Sequence, residues 1–264
     1  VLLFVVNIWK TVKAGTFTAN EEAEAPALEK AYTVGVGEHW HRPIERKPVR
    51  LLIFALIVIL IGGAVEMVPT FLVKSNVPTI EAVKPYTPLE LQGRDIYIKE
   101  GCYNCHSQMI RPFRHEVERF GDYSKSGEFV YDHPFQWGSK RTGPDLAREG
   151  SKKLRKSHSW HYNHMFDPTT MSPGSIMPRY PWLMFKDIDV RSTTSKMAAM
   201  QTLGVPYTDA EIKSGKDDLM AQAEKIAAEL REQGVKEADA NKEIIALIAY
   251  LQRLGTDVEK TAEK

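Results

Sequence analysis

Between Leu51 and Val65 the chain has no charged or strongly polar residue, and the apolar run continues to Val73. As an α-helix this run spans about 34 Å, enough to cross the hydrocarbon core of a bilayer with some tilt. Residues 49–73 are therefore read as a transmembrane helix, and the rest of the chain must be arranged around it. Arg46, Lys47 and Arg50 crowd its N-terminal end. The positive-inside rule puts that end in the cytoplasm and everything after Val73 outside. Gly62-Gly63 offers a flat spot for a neighbouring helix. Glu66 interrupts the apolar run, and an ionisable group there is costly unless it faces a partner, water or an ion. The expectation is that it turns to a partner subunit.

Val1–Trp9 is a second, shorter apolar run, followed by Lys10 and Lys13. It fits a signal peptide poorly, because no basic segment precedes it and no small-residue cleavage site closes it. Residues 1–14 read better as the end of a preceding transmembrane helix. Residues 15–48 are polar and without period, a cytoplasmic linker. Residues 74–86 form a stalk, and 87–258 make one extracytoplasmic domain.

The 264 residues carry 35 Lys+Arg against 34 Asp+Glu, a balance that gives no reason to expect a nucleic-acid partner. There are only two cysteines, three positions apart. This excludes a disulfide framework and a four-cysteine zinc site.

Helix signals are clear at three places. Thr87-Pro88-Leu89-Glu90 supplies a cap, a proline at the first helical position and a capping box, and Gly101 ends the helix it opens. Thr208-Asp209-Ala210-Glu211 is a second capping box, for a helix to about Gln233 with Gly234 beyond it. The stripe Ile244, Leu247, Ile248, Leu251 and Leu254 predicts a last helix over 239–254. From Tyr103 to Trp182 the chain is rich in Pro, Gly, Arg and aromatics, so only short elements are expected. A loop of that length inside a domain usually wraps something functional.

The helix opened by Thr87 stops just before Cys102-Tyr103-Asn104-Cys105-His106. This is a C-x-x-C-H run, the haem attachment signature. Two thiols at this spacing can each add to a vinyl group of one porphyrin, and the next residue, His106, is then held under the iron. The competing readings are a thiol redox pair, which lacks its βαβ context, and half a zinc site, which lacks the other ligands. One covalently bound haem c is the expected cofactor. For the sixth position a methionine would raise the potential. Met109, three residues past His106, would lie on the wrong side of the ring. Met165 falls in a probable short helix, and Met171 is a minor candidate. Met177 is favoured because flanking prolines stiffen its loop, Ser175 to Pro181. His158, His161 and His164 fall three apart on one helix side. They are expected as surface or interface residues on a wet helix, the alternatives being metal binding or one of them replacing the methionine. A ligating histidine usually donates its second N–H to a carbonyl, and the Gly143-Pro144 turn is a natural source. Lys140, Arg141, Arg111 and Arg114 are candidates to pair with haem propionates.

The chain resembles the monohaem cytochrome c subunit of C-family (cbb3-type) haem–copper oxidases. The resemblance rests on Gly93–Tyr97, Cys102–His106 with Ser107–Arg114, Gly127–Pro134, Trp137–Leu146, Met177–Leu183 and Gly204–Asp209, and it covers about residues 38–255. It implies a mainly α architecture: a transmembrane helical anchor plus a class I cytochrome c domain with long loops. The first and last helices of that domain would cross, the Gly93/Tyr97 face against the Ile248/Tyr250 region. It also implies His106 and Met177 as axial ligands and Pro144 as the carbonyl partner of His106. The implied role is electron transfer from a donor cytochrome c, or a dihaem cytochrome c subunit, to the haem b of the catalytic haem–copper subunit. That subunit reduces oxygen, and this chain does no oxygen chemistry. The location implied is the bacterial inner membrane, with the haem domain on the periplasmic side.

Two departures stand out. Residues 217–241 look longer than usual. Val1–Val34 resemble the last membrane helix and tail of the catalytic subunit, so a fused catalytic–cytochrome polypeptide is expected. The rival functions are a monohaem subunit of nitric oxide reductase and a haem-binding membrane sensor with an open iron.

Overall fold

The computed structural model describes residues 2–15, 41–73, 78–138 and 140–258. Most of the expected linker, the start of the stalk (74–77), and Ser139 lie outside these. The chain divides into two compact units, residues 1–68 and 69–264.

The first unit is helical. α1 is Leu2–Lys13, with Lys10 and Lys13 in its last turn. A short α2, Arg42–Glu45, follows. α3 is Pro48–Leu72. It is about 37 Å long at 1.5 Å per residue, and Pro48–Thr70 is long and apolar enough to cross a membrane. Its large apolar side chains, such as Leu52, Val58 and Ile59, are about two-thirds exposed. For a soluble helix that would be a large loss of burial energy, and for a helix in lipid it is the expected state.

The second unit is built on α4 (Pro88–Lys99) and α10 (Glu243–Arg253), which cross. The Thr87 capping box of α4 forms as expected, Thr87 Oγ1 accepting from the Glu90 N–H while the Glu90 carboxylate accepts from the Thr87 N–H. At the crossing the two backbones nearly touch. A Cβ placed on Gly93 would lie 1.9 Å from the Ala246 carbonyl oxygen. Beside this contact the Tyr97 and Tyr250 rings stand 5.5 Å apart, and Tyr86 adds a third ring 5.6 Å from Tyr250. α9 (Asp209–Glu232) starts at the Thr208/Glu211 capping box. Its Leu219, Ala223, Ala227 and Leu230 fall at helical spacing and are wholly buried. Each such Leu is worth about 1.5–3 kcal/mol relative to exposure.

Two expectations on helices change. α10 begins at Glu243, four residues after the predicted start. Residues before it are drawn into other bonds: Ile188 N–H donates to Asn241 O, Glu243 N–H to Lys186 O, and Asp187 bridges Lys242. The Asp239 carboxylate also accepts from Asn241 N–H, a turn that competes with helix. α8, Thr193–Thr202, is a helix the periodicity did not predict. Among the described residues there is no β-strand beyond that one bridge. The rest of 103–192 is loop with short helices, of which α5 (Arg114–Phe120), α6 (His158–Phe166) and α7 (Pro168–Met171) are used below.

Candidate functional site

α4 delivers the C-x-x-C-H run directly. Gly101 takes φ +72°, a left-handed conformation that glycine adopts without strain, and turns the chain into a 3₁₀ turn at Cys102–Asn104. His106 N–H closes the turn on the Cys102 carbonyl at 3.0 Å. Cys102 is half-buried and Cys105 exposed, and both are free thiols. Burial, and then Glu100, push the Cys102 thiol up to about 12. The attacking thiol of a redox pair is usually shifted the other way, toward thiolate.

His106 is set by the loop 141–146. Its Nδ1–H donates to the Pro144 carbonyl at 2.8 Å. That bond fixes the tautomer and leaves the Nε2 lone pair available. Burial lowers the His106 pKa, partly offset by the Pro144 bond and by Asp145, a direction that favours the neutral ring. Gly143 makes the approach possible: a Cβ there would sit 2.3 Å from His106 Cε1. The loop is tied to the motif by backbone bonds as well, Gly143 N–H to Cys105 O at 2.9 Å and Leu146 N–H to Ser107 O at 2.8 Å.

Met177 is half-buried and packs against the main core, as Cys102 and Tyr180 also do. Its loop is pinned at several points. Tyr180 N–H donates to Met165 O at 2.8 Å, Trp182 Nε1–H to Glu100 at 3.0 Å, and Arg179 pairs with Asp167 at 2.5 Å. Met165 lies in α6 as expected and is buried in the core.

The basic candidates already have carboxylate neighbours. Arg111 and Arg141 both pair with buried Glu116, Arg141 at 2.6 Å. Arg114 pairs with Glu118 on the exposed face of α5. Lys140 is exposed. Glu116 was not singled out in the sequence, and neither was Asp145. Asp145 is buried and accepts from Ser107 Oγ at 2.6 Å, Met109 N–H at 2.9 Å and Ala147 N–H at 2.8 Å. The available signal was Asp145 directly after Gly143-Pro144, where an aspartate can bond the backbone two residues on.

Burial drives the Glu116 carboxyl up, but bonds from Arg111 and Arg141 outweigh it and hold the pKa down at about 2. A depressed carboxylate contributes stability that is present above the ordinary carboxylate pKa and is lost as pH falls through the folded value. Wild-type protein is therefore expected to lose stability between about pH 4.5 and about pH 2 more steeply than Glu116→Gln. Thermal melts of both at a series of pH values check this. Parallel curves would contradict it. Glu149, pushed up to about 7 by burial, and His161, pushed down to about 3, are present in both proteins and cancel in the comparison.

The α6 histidines depart from expectation. They are not on a wet face: His158 is 7% and His161 2% exposed. His164 is half-buried and stacks on Trp160, ring centroids 4.4 Å apart. α6 packs against α9 and α10; His158 Nδ1 lies 3.2 Å from Glu229 of α9, and His161 Nε2 lies 3.8 Å from Glu149 in the loop before α6. Among the described residues no group of three His, Cys, Asp or Glu side chains is arranged to hold a metal ion.

The paired thiols, the oriented neutral imidazole and the glycine-lined contact on its ring fit the attachment of a haem. The family model described as cytochrome c oxidase, mono-heme subunit/FixO, matches residues 41–258. No curated protein matches the chain.

Proposed function

Because this chain belongs to the family of mono-haem subunits of cytochrome c oxidase, we propose that it carries one haem c, bound covalently through Cys102 and Cys105, and passes electrons from a donor cytochrome c to the catalytic subunit. Membership makes it a haem-bearing electron-transfer subunit of an oxidase, anchored by α3. The finer reading assigns its partners as the catalytic haem–copper subunit of a cbb3-type oxidase and a dihaem or soluble donor cytochrome c. It also places the haem domain on the periplasmic side of the bacterial inner membrane, an orientation supported by Arg46, Lys47 and Arg50 at the start of α3.

The observation that supports the reading is the pair of free thiols on one tight turn with His106 directly after them, its Nδ1–H held by the Pro144 carbonyl at 2.8 Å. When bound, the haem supplies a one-electron ferric/ferrous couple. The chain's own groups do the rest. Cys102 and Cys105 fix the porphyrin edge. His106 offers Nε2, and its ring cannot turn away while Nδ1–H holds Pro144 O. Met177, in its pinned loop, would offer its thioether to the iron. Arg141 and Arg111, which share their charge with Glu116, and Lys140 would be available to pair with propionates.

Full-length chain purified from membranes and run on a denaturing gel is expected to retain haem stain. The double variant Cys102→Ser/Cys105→Ser is expected to lose it. Haem that leaves the wild-type chain on denaturation would overturn the covalent reading.

A further inference from the structure

Asp145 is the residue on which the two halves of the site converge. Its Oδ2 accepts from Ser107 Oγ at 2.6 Å, Met109 N–H at 2.9 Å and Arg141 Nη2 at 3.2 Å, and its Oδ1 from Ala147 N–H at 2.8 Å. Ser107 directly follows His106, Met109 is three positions after it, and Pro144 directly precedes Asp145. The carboxylate thus ties the chain just after the histidine to the turn that carries its carbonyl partner. Arg141 completes the tie, donating to Ser107 Oγ at 2.6 Å and Met109 O at 2.7 Å, and pairs outward with Glu116 at 2.6 Å. The Asp145 side chain is wholly buried. A charge in such a place acts at low effective dielectric, so it is felt by its neighbours more than a surface charge would be.

We propose that Asp145 is a positioning residue for the His106 ligand: it holds the Pro144 carbonyl against Nδ1–H, and its negative charge lowers the reduction potential of the haem bound there. The inference rests on the reading that His106 ligates a haem. Two effects act in the same direction. A firmly held N–H···O=C bond makes the imidazole a more basic ligand, which favours ferric iron. A nearby carboxylate also favours the ferric state, which carries the extra positive charge.

Asp145→Asn keeps the volume but removes the charge. All four groups that face Asp145 are donors, and an amide presents two N–H donors of its own, so at least one bond is lost. The test is a redox titration of the c-type absorbance of full-length haem-loaded chain purified from membranes. Asp145→Asn is expected to keep haem stain on a denaturing gel and to titrate at a higher potential than wild type. The control is Asp132→Asn, a buried carboxylate bonded instead to Arg94 and Tyr86. It is expected to lower the melting temperature without moving the potential. An unmoved potential in Asp145→Asn with haem attached, or an equal shift in Asp132→Asn, would overturn the proposal. If Asp145→Asn does not accumulate, Asp145→Ser decides: it removes the same charge and loosens the same tie, so the potential is again expected to rise, and no change counts against the proposal. Loss of haem from the wild-type chain would instead count against the attachment itself.

Discussion

Met177→Ala is expected to leave the haem attached and its iron open. The thioethers to Cys102 and Cys105 do not depend on the sixth ligand, so haem stain on a denaturing gel should persist. The fold should also persist. Met177 is only half-buried, and its loop is held by bonds that do not involve its side chain, Tyr180 N–H to Met165 O and Trp182 Nε1–H to Glu100 among them. Those bonds leave a preformed gap where the thioether was. Methionine ligation raises a haem potential, so its loss should lower it, and the ferrous form should bind carbon monoxide where wild type does not. An unchanged methionine–iron charge-transfer band in the variant would show that another residue is the ligand. The nearest rivals in sequence are differently placed: Met109 is exposed beside the motif, Met171 lies at the end of α7, and Met165 is buried in the core. Met165→Ala is therefore expected to cost stability, not ligation.

What was legible in the sequence was local. The capping boxes at Thr87 and Thr208 each need only four consecutive residues, and both helices start where those residues say. The C-x-x-C-H run is local too, and so is the turn that carries it. Features that depend on distant residues were harder. α10 starts late because Lys186 and Ile188, more than fifty positions earlier, pair with the residues ahead of it. α8 was missed because only Thr193, Met197 and Met200 of its ten residues are buried, too few to mark an apolar face. The α6 histidines were expected on a wet face because polar side chains usually are. Burial against α9 and α10 is set by tertiary packing that the spacing of three does not encode. The same limit applies to the site. Gly143-Pro144 announced a carbonyl, but the bonds from Asp145 back to Ser107 and Met109 cross some 36 positions of loop. Glu116 drew no attention as one acidic residue in a polar stretch, and only the fold places it between two arginines.

Gly93→Val is expected to abolish the crossing of α4 and α10, and Gly93→Ala to weaken it measurably. Helix propensity points the other way, since alanine in a helix interior is favoured over glycine by about 1 kcal/mol. The sign is decided by space. A Cβ at position 93 would lie 1.9 Å from the Ala246 carbonyl oxygen and 2.8 Å from Tyr250 Cβ. The first is backbone in the middle of α10, which cannot rotate aside as a side chain can. Relief requires the helices to separate, and separation also parts the Tyr97 and Tyr250 rings. Overpacking of this kind costs about 1–3 kcal/mol and occasionally more, enough to outweigh the propensity gain for alanine. The added methyls of valine exceed what a small shift can absorb. In a domain of this size each kcal/mol lost corresponds to a melting-temperature drop of about 2–4 °C. The effect should reach the site, because α4 leads straight into Gly101 and the Cys102 turn. Thermal melts of full-length haem-loaded chain, read by both circular dichroism and haem absorbance, should show the two signals falling together. A Gly93→Ala variant that melts at or above the wild-type temperature would mean that the α4–α10 contact is looser than its geometry requires.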